Sequence, residues 1–150
     1  MARSNQKAKK ARQFTHLLLE LRDELRRHLQ QKFRENNMSL TYEMHQVMVC
    51  LWTKDGMRQQ DLADKTLKDK TSLTYLIDNL NKRGLVTRME DKNDRRSKLI
   101  FLTDKGKELG KIAEPWVEEL YKLASLKVTM NEIEESMKTV QKMIDNVKTG

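Results

Sequence analysis

Residues 62–106 read LADKTLKDKTSLTYLIDNLNKRGLVTRMEDKNDRRSKLIFLTDKG, and within this stretch the apolar periodicity changes from helical to alternating. Leu73, Leu76, Ile77 and Leu80 recur at three- and four-residue steps, which predicts an amphipathic helix. Asp69 is placed to cap its start, and Gly84 to close it in a left-handed conformation with Leu85 as the apolar contact of that cap. The other face carries Lys70, Thr71, Thr74, Tyr75, Asp78 and Lys82, with Ser72 at its margin. Hydroxyls, an aromatic ring and lysines are groups that reach base edges or phosphates. A shorter helix is predicted ahead of it, over residues 59–65, with Leu62 and Ala63 facing inward. Behind it, residues 86–90 and 97–102 alternate as strands, joined by the turn-rich Asp91, Lys92, Asn93 and Asp94 into a hairpin with a charged tip.

Helix, turn, helix and then a hairpin tipped with arginines is the order of a winged helix-turn-helix. In that arrangement the second helix enters the major groove and the wing follows the backbone toward the minor groove. Charge agrees with the pattern. Residues 82–98 hold seven basic side chains against three acidic ones, whereas residues 112–150 hold five lysines against seven acids. An ordinary solvated hairpin is the bland alternative, and it leaves the coincidence of order, pattern and charge unexplained.

The flanks read as long helices. From residue 7 to 34, Phe14, Leu17, Leu18, Leu21, Leu25 and Leu29 form one apolar stripe opposite a basic face, ended by Asn36 and Asn37. Thr41 is a candidate cap for a second helix with Met44, Val47, Met48, Leu51 and Trp52 inward, closed by a turn at Asp55 and Gly56. Thr103 caps a fifth helix carrying Leu109, Ile112, Trp116, Leu120 and Leu123, in which Pro115 is expected to cause a kink or a split. A last helix shows Ile133, Met137, Val140, Ile144 and Val147 in the steps of a coiled-coil seam, a narrow stripe that calls for a partner.

Composition sets the limits. The chain has 150 residues and a net charge of +8, and 35% of its residues are charged. Leu, Ile, Val and Phe together number 35, about 23% of the chain, just above the ~20% below which high charge signals disorder. So lean a core favours two chains sharing apolar surface, and a homodimer is the expectation. No apolar run is long enough to span a membrane and no secretion signal opens the chain, so a soluble, cytoplasmic protein with no membrane partner is expected. One cysteine, Cys50, excludes an internal disulfide, and His16, His28 and His45 lack metal-ligand spacing, so neither metal nor cofactor is expected. Nothing in the sequence assembles a nucleophile, a base and an oxyanion site, and an enzyme is not expected.

Residues 62–106 resemble the core of the MarR (multiple antibiotic resistance regulator) family of bacterial and archaeal transcription factors. The likeness lies in the LA of the first motif helix, the leucine and threonine pattern of the second, GLV entering the wing, DRR at its tip and LTDKG opening the next helix. The resemblance implies a mainly α fold, with a winged helix-turn-helix lobe bearing a two-stranded wing and terminal helices that form a dimerisation region. It implies a homodimer that binds a pseudo-palindromic operator in double-stranded DNA, usually as a repressor, and often released by a small aromatic or anionic effector. Arg96 then corresponds to the arginine inserted into the minor groove and Asp94 to the aspartate shaping the tip. Arg95, Lys92 and Lys98 fall to phosphate contacts, with Arg88 and Lys82 in the same basic set. Thr71, Ser72 and Thr74 lie where the second helix meets backbone and bases.

Two positions depart from the family pattern. Tyr75 stands where arginine is common; it either contacts a thymine methyl or a phosphate, or packs sideways against the wing. Arg58 stands where a Ser or Thr cap is common, and is a candidate phosphate contact, with Asp61 left to interact with the exposed amides. For sensing, Cys50 lies on the second helix among apolar neighbours, where a thiol is usually inert, whereas thiol-sensing members carry theirs on the first. His16, Tyr42, Met44, His45, Met48 and Trp52 are candidate effector-pocket residues, although a Met and aromatic stripe at helical spacing is more often core.

The predicted organisation is a basic tail and long helix over residues 1–36, a DNA-binding lobe over 37–106 and dimerisation helices over 107–150. Two other functions compete with the sequence-specific regulator: an architectural DNA binder with little sequence preference, and a helical adaptor that presents its basic face to an acidic protein. The charge is uneven, with +6 over residues 1–36 and +5 over residues 54–111, so the tail exceeds what the motif requires.

Overall fold

A computed structural model describes residues 1–150. The elements run α1 (Ala2–Glu35), α2 (Tyr42–Thr53), β1 (Met57–Arg58), α3 (Gln59–Thr66), α4 (Lys70–Lys82), β2 (Val86–Asp91), β3 (Asp94–Leu102), α5 (Asp104–Ala124) and α6 (Met130–Thr149). They form two compact units, Met1–Val117 and Glu118–Gly150.

In the first unit, α1 begins five residues before the apolar stripe predicts, because Ala2, Arg3 and Gln6 favour helix and carry Ser4 and Asn5 along with the long helix that follows. Only Leu29 and Phe33 of α1 are buried. It ends where Asn37 takes φ 54°, a left-handed value asparagine tolerates, and Met38 N–H donates to Phe33 O at 2.8 Å. Thr41 Oγ1 accepts from Met44 N–H at 3.1 Å, which fixes the start of α2. Val47, Met48 and Leu51 from α2, Leu62 from α3, Leu73, Ile77 and Leu80 from α4, and Val86 and Ile100 from the sheet make up the core.

The sheet is antiparallel in the order β1-β3-β2. The predicted hairpin is present, and its pairing continues to Asp91↔Asp94, so the tip is only Lys92 and Asn93, with an irregularity between Glu90 and Asp91. Strand β1 was not expected. Two residues cannot display an alternation, and Met57↔Ile100 and Arg58↔Leu99 are pairings between distant parts of the chain. At the end of α4, Gly84 has φ 70° and Leu85 N–H donates to Leu80 O at 3.0 Å, the closure the sequence predicts.

Thr103 Oγ1 accepts from Gly106 N–H at 3.0 Å and starts α5, which runs unbroken through Pro115. The split considered for this helix does not occur. The ring sits at an exposed position, and the loss of one internal hydrogen bond is tolerated in a helix of 21 residues whose other bonds form cooperatively. In the second unit, Thr129 and Glu132 form a reciprocal capping box at the start of α6. No residue of α6 is buried, and Met137 and Val147 are 66% and 81% exposed.

Candidate nucleic-acid interface

Helix α4 buries Leu73, Leu76, Ile77 and Leu80, and the 3.6-residue repeat therefore turns Lys70, Thr71, Ser72, Tyr75 and Lys82 to solvent. Asp69 Oδ1 accepts from Ser72 N–H at 2.7 Å. That bond to the first turn is the leading reason its carboxyl lies below the ordinary value. Tyr75 is 68% exposed and stands out from the helix rather than against the wing. With Glu43, Lys68, Thr71, Ser72 and Leu76 it borders an open groove of about 380 Å³.

Two predicted contacts hold the motif together instead of facing outward. Thr74 Oγ1 accepts from Gln59 Nε2 at 2.9 Å and donates to Lys70 O at 2.8 Å, which ties α4 to α3. Arg88, on β2, is half-buried, and its Nη2 pairs with Asp78 of α4 and approaches Thr74 O at 3.4 Å. Sequence reasoning counted Arg88 among the free basic groups. The pairing makes it a strut between wing and helix, because the left-handed turn at Gly84 folds β2 back along α4.

At the wing, Lys92, Arg95 and Arg96 are exposed. Asp94 Oδ1 accepts from Arg96 N–H at 3.0 Å, so the aspartate fixes the backbone that carries the arginine. Lys98 Nζ donates to Glu90 Oε1 at 3.3 Å. Asp91 is buried: its Oδ1 accepts from Asn93 N–H at 3.0 Å, and its Oδ2 lies 3.5 Å from Arg58 Nε. Gln59, Asp78 and Asp91 organise the site, yet sequence reasoning gave none of them that part; each acts through a neighbour that only the fold supplies. Arg58, Gln59, Gln60, Asp61, Ala63, Lys70, Leu73, Asp94, Arg96, Ser97 and Lys98 line one cleft of about 370 Å³. The start of α4 and the arginine-bearing tip thus border the same space.

The candidate effector residues separate. His16 is exposed on α1, with Nε2 3.2 Å from Glu20 Oε1. Tyr42, Met44, His45 and Met48 are packed in the core. His45 meets the rings of Phe33 and Trp52 at 5.3 and 5.7 Å, and burial lowers its pKa to about 4. Trp52 is half-buried; its Nε1 donates to Gly106 O at 2.9 Å, and it borders an open groove with Lys107 and Lys111. The Cys50 thiol is pushed up, chiefly by burial. No three His, Cys, Asp or Glu side chains are grouped to hold a metal ion, and no helix is long and apolar enough to cross a membrane.

Residues 40–98 match the profile of the MarR family. Over 70 residues the chain is 37% identical to the HTH-type transcriptional regulator TtmR of Methylorubrum extorquens, a match covering 47% of this chain and 36% of that protein. Over 82 residues it is 29% identical to the uncharacterised HTH-type transcriptional regulator YkoM of Bacillus subtilis, covering 55% and 49%. The chain thus spans less than two thirds of either relative. The crystal structure of the Staphylococcus aureus MepR–DNA complex superposes with a TM-score of 0.78 at 23% identity, over 89% of this chain and 97% of that one, a likeness of fold.

Proposed function

We propose, from the match of residues 40–98 to the MarR family profile, that the protein is a homodimeric, sequence-specific DNA-binding transcriptional regulator of that family. The observation that carries this reading is the joint placement of the exposed start of α4 and the arginine-bearing wing tip around one cationic cleft. Lys70, Thr71, Ser72, Tyr75 and Lys82 meet the major groove and its phosphates, while Arg96 enters the minor groove and Arg95, Lys92 and Lys98 hold the backbone. Asp94, Thr74 and Arg88 set the shape of that surface. TtmR and YkoM are named as HTH-type transcriptional regulators and MepR has been crystallised on DNA, which supports the same class here.

Dimerisation is supported by the exposed Leu17, Leu18 and Leu21 on α1 and by α6, an amphipathic helix with nothing buried. A dimer seated on an operator blocks access to it, so repression is the direction proposed, with the cytoplasm as the place of action. For release, the groove beside the Trp52 ring, with Leu51 and Leu102 in its wall and Lys107 and Lys111 offset by Asp55 and Glu114, offers an aromatic and apolar face that suits a small aromatic effector.

Selection of bound sequences from a random duplex pool tests the reading. The expected product is a pseudo-palindrome with half-site centres about 10 base pairs apart. Equal recovery of all sequences would instead indicate an architectural binder, and no binding at low salt would leave an adaptor for acidic proteins.

A further inference from the structure

We propose that Arg58 is a DNA-backbone contact, joining Lys70, Arg96 and Lys98 in a cleft between α3 and the wing that seats a phosphodiester. This rests on the DNA-binding reading and adds to it a residue outside α4 and the wing. Four cations and two acids, Asp61 and Asp94, line the cleft. Lys98 is paired with Glu90 at 3.3 Å, and Asp94 accepts from Arg96 N–H.

Arg58 is poorly suited to a purely local role. It occupies the N-cap of α3 with φ −65° and ψ 143°, where a short oxygen-bearing side chain would accept from the first turn, and it makes no such bond. Its Nε lies 3.5 Å from the buried Asp91 Oδ2, and its side chain is nevertheless 54% exposed. One edge of the guanidinium is thus held by a carboxylate anchored at the base of the wing tip. The two terminal nitrogens meet no protein acceptor and remain open to the cleft. A guanidinium is a five-donor fork that suits phosphate oxygens, and a side chain already tethered loses less freedom when it binds. Asp91 therefore offsets part of the charge of Arg58 while it orients the guanidinium, whose terminal nitrogens it leaves unengaged.

The test measures affinity of the full chain for its selected duplex across a salt series, in wild type, Arg58→Ser, Asp91→Asn and Arg96→Ala. Serine restores a cap to α3, so Arg58→Ser is expected to melt no lower than wild type. It is expected to bind about tenfold more weakly, as for loss of a charged hydrogen bond, with the same consensus. The slope of log affinity against log salt should become shallower by about 0.9 per protomer. Asp91→Asn, which frees Arg58 but keeps its charge, should retain the wild-type slope. If Arg58→Ser keeps wild-type affinity and slope while Arg96→Ala weakens binding, the Arg58 contact is refuted and the DNA-binding reading stands. If Asp91→Asn flattens the slope as much as Arg58→Ser does, Arg58 acts only through the shape of the wing and the proposal is overturned. If wild type binds no duplex at low salt, the DNA-binding reading itself fails.

Discussion

Arg96 and His45 show how differently two sequence-nominated side chains end up placed. Arg96 is exposed, on a backbone fixed by Asp94, so its removal should cost binding and not folding. Arg96→Ala is expected to weaken operator affinity at least tenfold with the dimer intact; unchanged affinity at moderate salt would remove it from the minor groove. The sequence offers His45 only as a candidate effector-pocket residue, and the fold buries it in the core. Its Nε2 is buried without a partner, its Nδ1 is 3.5 Å from Gln46 Nε2, and burial lowers its pKa from 6.5 to about 4. The folded state thus keeps the ring neutral, while the unfolded chain takes up a proton once the pH falls below 6.5. Stability from this residue is complete above pH 6.5 and is lost progressively down to about pH 4, by about 3 kcal/mol. Urea unfolding at pH 7 and pH 4.5 should show a steeper loss in wild type than in His45→Leu, and parallel losses would refute the assignment.

The helices were legible where an apolar stripe or a cap marked them, and close approaches between elements were not. Asp69, Thr103 and Gly84 perform the capping their types suggest, because capping is a bond between near neighbours. Gly106 and Gly110, one turn apart on α5, carry no such local signal. A Cβ at Gly106 would stand 2.2 Å from Leu85 O, and one at Gly110 2.7 Å from Trp52 Nε1. The bare backbone lets α5 lie against the entry to β2 and against α2, where Trp52 Nε1 reaches Gly106 O. Gly106→Ala should therefore lower stability by about 1–3 kcal/mol, despite alanine's better helix propensity. Thermal unfolding measures this, and a rise in midpoint would mean that the backbone yields at no cost.

On the scale of the molecule, apolar surface is left over. Leu17 and Leu21 are more than half exposed on α1, as are Leu123, Leu126 and Met137 in the second unit. Removing residues 130–150 is expected to convert a dimer into a monomer in sedimentation and to reduce operator affinity sharply; a truncated monomer with full affinity would overturn the shared-core reading. The sequence by itself determined the helices, the caps at Thr41, Asp69, Gly84 and Thr103, the hairpin, the basic wing and the shortage of core for one chain. These follow from periodicity, composition and bonds within a few residues. Only the tertiary structure decided that β1 completes the sheet, that Arg88 braces α4 instead of facing outward, that Arg58 lies beside Asp91, and that α5 passes through Pro115. Each depends on what lies across space from a residue, and a one-dimensional pattern does not carry a side chain's distant neighbours.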